Sequence, residues 1–167
     1  MTRPPRAPRL AFRALRPSDA PDIVRHISDD AVWPWLTRVP HPYATADAEA
    51  FIALFSDPAK RTWVVERDGA FVGVVSHGGE LGYWIARPHW GRGYATEAAT
   101  ALLADHFAAS DAPVPSGYHA GNDRSARVLA KLGFRPTGAV VETETARGDT
   151  VPIHKVVLSR ADWEARA

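Results

Sequence analysis

Residues 82–98 read Gly-Tyr-Trp-Ile-Ala-Arg-Pro-His-Trp-Gly-Arg-Gly-Tyr-Ala-Thr-Glu-Ala. An extended aromatic stretch enters a tight glycine turn, and an alanine-rich helix leaves it. Gly91 and Gly93 lack the side chains that would keep a ligand from the backbone amides of residues 91 to 95. Those amides open a helix predicted to begin near Thr96 and to bury Ala99, Leu102, Leu103 and Phe107 over residues 96 to 108. Their N–H donors and the positive end of the helix dipole converge on one spot, which suits a phosphate or diphosphate.

Outward from that turn, the pattern alternates strands and helices. Leu10, Phe12 and Ala14 alternate as a strand with one buried face. Ser18, Asp19 and Pro21 open a helix with Ile23, Val24 and Ile27 as its apolar stripe. Residues 33 to 43 hold three prolines and form no regular element. Thr45 reads as an N-cap, with Phe51, Ile52, Leu54 and Phe55 facing inward. Asp68-Gly69 joins two valine-rich strands as a hairpin. Glu80 to Ile85 and Val114 to Ala120 are further strands. A helix capped by Asn122 closes at Gly133. Residues 137 to 145 and 151 to 158 form a final strand pair, with Pro152 marking a strand start or a sheet edge. The fold class is α/β (α+β): a mixed, mostly antiparallel central sheet of six to seven strands flanked by helices.

At 167 residues the chain is expected to form a flexible tail over residues 1–8 and a single domain over 9–167. Hydrophobic residues at 46 % and charged residues at 23 % are ordinary for a globular protein. The formal net charge of +1 gives no broad basic field and argues against a nucleic-acid partner. No cysteine is present, which removes disulfides, thiolate metal sites and a cysteine nucleophile. The seven histidines show no metal-ligand spacing. No apolar run approaches the ~18 residues of a membrane span. The arginine- and proline-containing start does not read as a secretion signal, so a cytoplasmic location is expected.

Other readings of the glycine turn fail on particular positions. A phosphate-binding Walker loop needs Gly-Lys followed by Ser or Thr, and a dinucleotide fingerprint needs glycine where Thr96 stands. A purely structural turn accounts for Gly91 and Gly93 but not for the arginine between them.

Taken together, these residues resemble the GNAT superfamily of acetyl-CoA-dependent N-acetyltransferases, and most of all the branch named for acetylation of ribosomal-protein N-termini. Its cofactor motif, Gln/Arg-x-x-Gly-x-Gly/Ala, is matched by residues 90 to 95, with Trp90 departing from the usual first residue. Asn122 and Ser125, followed by Leu129 and the Lys-Leu-Gly-Phe of residues 131 to 134, match a second motif. Residues 80 to 85 supply a third. The likeness covers roughly residues 9 to 164.

The resemblance implies acetyl transfer from acetyl-CoA to a primary amine, by direct attack in a ternary complex. It places the pantetheine arm along backbone groups of Ile85, Ala86 and Arg87, and the diphosphate on the amides of Gly91, Arg92, Gly93, Tyr94 and Ala95, with Arg92 adding charge and Trp90 and Thr96 also at the cofactor. Asn122, Arg124 and Ser125 would also touch the cofactor, with Ser125 hydrogen-bonding the departing thiolate. Glu80 would act as base through water, with His77 and His119 as rivals. Trp33, Trp35, Tyr43 and His119 would line the acceptor cleft, facing the loop around Arg147. The acceptor would be a protein N-terminus or a small amine, and an apolar sheet edge would suit a homodimer. A CoA-binding sensor or scaffold without turnover is the alternative on the same fold.

Overall fold

Turn chemistry and valine-rich strands build the first half of the chain. In this computed structural model, which describes residues 3–166, β1 (Ala11–Arg13), β2 (Thr62–Arg67), β3 (Ala70–His77) and β4 (Leu81–Ile85) pair in that order, every pair antiparallel. Asp68 and Gly69, at φ 52° and 79°, take the left-handed conformations that a tight β2–β3 turn needs. Val64, Val65, Val72, Val74 and Val75 are all buried, so helices cover both faces of this sheet.

On one face lie α1 (Ala20–Ile27) and α2 (Thr45–Phe55), whose Ile23, Ile27, Ala48 and Ile52 pack against Val64, Phe71 and Val74. On the other lies α3 (Tyr94–Ala109), which buries Ala99, Leu102, Leu103 and Phe107 against Val65, Val75 and Leu81 as its spacing predicts. A second antiparallel sheet follows in the order β5 (Val114–His119), β7 (Thr150–Leu158), β6 (Arg135–Glu144). Between β5 and β6 the chain forms α4 (Asp123–Lys131), and it closes with α5 (Arg160–Ala165).

The seven strands thus divide into two sheets instead of one continuous layer. Among the described residues no ladder joins β4 to β5. Their one hydrogen bond is a side-chain contact, in which the buried Ser116 hydroxyl donates to the Leu81 carbonyl at 2.9 Å. Beyond that point the two strands leave facing backbone edges unpaired.

Several local expectations shift. Helix α3 begins at Tyr94, two residues before Thr96. Thr45 is the first residue of α2, not its cap; Asp47 Oδ2 reaches back to accept from the Ala44 N–H at 2.8 Å. Leu54 is exposed, because α2 turns Ala48 and Ile52 inward. Pro152 lies in the central strand β7 and not at an edge. It is tolerated there because β5 stops at His119, and the Pro152 carbonyl still accepts from Ala120 at 3.0 Å. Helix α5 carries no strong periodic signal; Ser159 caps it and Trp163 stacks on Phe107 at 5.6 Å. Ahead of β1, Pro5 is buried and Ala7 packs against the core.

Candidate active site

Antiparallel pairing alternates the direction of backbone groups along a strand. The Ala86 N–H donates to Val72 at 2.8 Å, so even-numbered residues of β4 face β3. Leu81, Tyr83 and Ile85 therefore turn their N–H and C=O groups to the opposite, open edge. Leu81 spends its carbonyl on Ser116, and Ile85 spends its carbonyl on the Trp90 indole N–H at 2.7 Å. The backbone groups left at that edge are the N–H of Leu81, both groups of Tyr83 and the N–H of Ile85. Ala86, expected to share in holding a ligand there, is instead committed on both sides, since its carbonyl accepts from His89 at 2.9 Å.

At the end of that edge the chain turns through Gly91 (φ 73°) and Gly93 (φ 77°) into α3. Both angles lie in the left-handed region that penalises a Cβ. No side chain caps α3. Its leading N–H groups, those of Tyr94, Ala95 and Thr96, consequently lack intrahelical acceptors and point out of the helix mouth. A Cβ placed on Gly91 would meet no atom within 4 Å, so the backbone there borders open space. This cradle of amides fits a diphosphate, and it needs no side chain to do so. The Tyr94 ring itself is buried in the core.

Helix α4 forms the opposite wall. Asn122 caps it, its Oδ1 accepting from the Ser125 N–H at 3.2 Å. The Ser125 hydroxyl lies 2.9 Å from the Tyr83 hydroxyl, a contact that links β4 to α4. Burial pushes the Tyr83 phenol up to about 12, against the weaker pull of its hydrogen bond to Ser125, so it stays protonated. The sequence pattern did not single out Tyr83. Its signal was the odd-numbered position it shares with Ile85 on the open edge. The Arg124 guanidinium sits 3.8 Å over the Trp90 ring, a second bridge from α4 to the glycine turn. Arg87 is exposed and lies 3.5 Å from Asp29.

The acceptor-side candidates gather around the turn between β6 and β7. The Ala146 N–H donates to the Thr37 carbonyl at 2.8 Å, and Arg147 Nη1 donates to the carbonyls of Leu36 and Val39 at 3.0 and 2.9 Å. The same guanidinium lies 5.2 Å over the Trp33 ring, which stacks on His41 at 4.1 Å. Trp35 meets His119 edge-on at 6.2 Å, and His119 Nε2 lies 2.9 Å from the Thr37 hydroxyl. Burial, reinforced by the charge of Arg147, lowers the His119 pKa and keeps the ring neutral.

Three candidates stand apart from this group. Tyr43 belongs to the core between α1 and α2, where burial raises its phenol to about 12. Glu80 is exposed at the start of β4, with both carboxylate oxygens facing Lys155 Nζ at 3.3 and 3.4 Å. His77 is buried at the far end of β3, paired with His106 at 3.0 Å. Among the described residues no cluster of His, Asp or Glu could hold a metal ion, and no helix is long and apolar enough to cross a membrane.

The acetyltransferase (GNAT) domain profile matches residues 9–135. The chain is 23 % identical to the uncharacterized N-acetyltransferase p20 of Bacillus licheniformis, over 93 % of this chain and 95 % of that one. In fold it is similar to the spermidine N-acetyltransferase of Vibrio cholerae, solved with CoA and spermine, at a TM-score of 0.76 and 18 % identity (93 % of this chain, 98 % of that one). It is similar also to the ribosomal-protein-S5-alanine acetyltransferase of Vibrio fischeri, at a TM-score of 0.75 and 18 % identity (97 % and 99 %). With three quarters of its length matched by that profile and the same fold throughout, the chain belongs to the GNAT acetyltransferase family.

Proposed function

We propose that this protein transfers an acetyl group from acetyl-CoA to a primary amine by direct attack within a ternary complex. The observation that carries the reading is the uncapped mouth of α3, bordered by two left-handed glycines at the end of an unpaired strand edge. Acetyl-CoA, when bound, supplies a thioester carbonyl open to nucleophilic attack. The amides of residues 91 to 96 hold its diphosphate, with Arg92 and Arg124 adding charge. Tyr83 and Ile85 offer backbone groups to the pantetheine arm, and the Ile85 N–H donates to the carbonyl oxygen as negative charge develops. Asn122 holds its end of α4 beside that arm.

The amine must shed a proton before it attacks. At pH 7 that costs about 1 kcal/mol for an α-amine and roughly 4.6 kcal/mol for a lysine. Two groups can take that proton, His119 and Glu80. His119 is the better placed, because it touches Trp35 and Thr37 of the acceptor wall and is kept neutral there. Glu80 is held by Lys155. On the leaving side Ser125 donates to the departing sulfur while Tyr83 holds its oxygen. No cysteine is available for a covalent acetyl-enzyme.

Trp33, Trp35, Thr37 and Arg147 wall the acceptor, either a peptide N-terminus or a small amine. The test is isothermal titration with coenzyme A, followed by a thiol-release assay against peptides of varied N-terminus and a panel of small amines. Heat of binding with CoA and turnover on at least one amine class support the reading. Binding without turnover on any amine favours a scaffold, and no binding overturns the site.

A further inference from the structure

Arg9 precedes β1, yet it is fastened to the glycine turn and to α3. Its backbone N–H donates to Glu97 Oε1 at 2.7 Å and its Nε to Oε2 at 2.6 Å. Its Nη2 donates to the carbonyl of Arg92 at 3.1 Å, and its guanidinium lies 5.0 Å from the centre of the Tyr94 ring. Its own carbonyl accepts from Arg67 Nη1 at 3.2 Å. One side chain therefore ties the segment before the first strand to the first turn of α3 and to the loop that opens it. Glu97 is largely enclosed, with a side chain 12 % exposed.

Two physical consequences follow. A carboxylate in the first turn favours the helix dipole but opposes any anion that binds at the same helix mouth. Glu97 would do this unless its charge were cancelled, and the Arg9 guanidinium cancels it at hydrogen-bond distance. A trans peptide, moreover, points its C=O and the following N–H in opposite directions. Drawing the Arg92 carbonyl towards Arg9 aims the Gly93 N–H the other way, out towards the ligand. A Cβ on Gly93 would lie 3.5 Å from Arg9 Nη2, an ordinary contact, so the φ of 77° and not crowding by Arg9 is what calls for glycine there.

We infer that Arg9 is a positioning residue for the diphosphate loop, neutralising Glu97 and fixing the Arg92–Gly93 peptide so that the loop is preorganised before the cofactor arrives. This rests on the reading of the α3 mouth as a diphosphate site.

The experiment titrates coenzyme A into the wild-type chain, Arg9→Ala, Arg9→Lys, Glu97→Gln and the double variant Arg9→Ala/Glu97→Gln. Arg9→Ala is expected to weaken CoA at least tenfold and to raise the KM for acetyl-CoA by a similar factor, with kcat at saturation within twofold of wild type. The double variant regains most of that loss although it holds one ion pair fewer, and the Arg9→Ala defect grows as ionic strength falls. Arg9→Lys, with one point charge in place of a fork, recovers only part. A brace without electrostatic effect predicts a double variant no better than Arg9→Ala, and that result overturns the inference, as does an Arg9→Ala chain that binds CoA like wild type. Should Arg9→Ala fail to fold, Arg9→Lys and Glu97→Gln decide. Glu97→Gln binding within threefold of wild type while Arg9→Lys binds several-fold weaker supports the inference; Glu97→Gln losing as much as Arg9→Lys overturns it. A wild-type chain that takes up no CoA overturns the diphosphate reading itself, a failure distinct from one confined to the Arg9 variants.

Discussion

The two walls of the candidate site are built on opposite plans. The glycine turn and the mouth of α3 are made of main chain, contiguous over residues 91 to 96, and ask only for glycine geometry and a helix start. The proposed acceptor wall is made of side chains from three distant segments, with Trp33, Trp35 and Thr37 meeting His119 and Arg147. Main-chain recognition tolerates sequence change outside a few glycines, and it suits a cofactor that never varies. Side-chain recognition across segments can be altered one residue at a time, and it suits a ligand that can change while the fold does not.

The contrast can be broken by separating the effects of the two walls. The largest expected change comes from His119→Gln, which should lower kcat about 100-fold or more if the ring takes the proton, while calorimetry finds CoA affinity within twofold of wild type. The wild-type enzyme should show an acidic limb in its pH–rate profile below the ordinary histidine value, because burial and Arg147 lower that pKa. A limb that persists in His119→Gln but vanishes in Glu80→Gln moves the base to Glu80.

Next in size is Gly93→Val. A β-branched residue at φ 77° carries strain on the order of 1–3 kcal/mol, so CoA binding should weaken roughly 30-fold. Equal CoA affinity in that variant would mean that the main-chain cradle is not the site. Arg147→Ala should act on the other wall alone, raising the acceptor KM about tenfold by releasing the carbonyls of Leu36 and Val39. A matching rise in the acetyl-CoA KM would show that the walls are coupled.

The smallest effect serves as a control on the pH profile. His106 Nε2 donates to the Ala112 carbonyl, so its Nδ1 accepts from His77 Nε2, and the buried His77 Nδ1 is left without a partner. Burial, with the neighbouring His106 and Arg61, pushes the His77 pKa down to about 4. The unfolded chain takes up this proton near pH 6.5 and the folded chain does not. Stability is therefore full above about pH 6.5 and declines as the pH falls towards 4. A melting temperature lower by roughly 5 °C at pH 4.5 than at pH 6.5 is expected, with a flatter profile in His77→Asn. If both chains lose stability in parallel, another group is responsible.

Much of the architecture could be read from residue pattern because its signals are local. The Asp68-Gly69 turn, the alanine-rich face of α3 and the Asn122 cap each declare themselves within a few residues. What escaped was tertiary. Helix α5 spans only six residues and depends on Trp163 finding Phe107. Leu54 looked like a core residue until α2 chose a narrower buried stripe. The division into two sheets could not be read because it is set by a missing ladder, and strand patterns alone do not report which neighbours fail to pair. Within the site, the helix mouth was legible from Gly91 and Gly93. The Tyr83–Ser125 contact was not, since 42 residues separate its partners. Arg9 was hidden in the same way, its partner Glu97 lying 88 residues on.

The Ser116 hydroxyl is the rivet between the two sheets. It joins β5 to β4 and satisfies a carbonyl that would otherwise be stranded in the dry interior. Its removal would leave that carbonyl bare and the two strands without a hydrogen bond between them among the described residues.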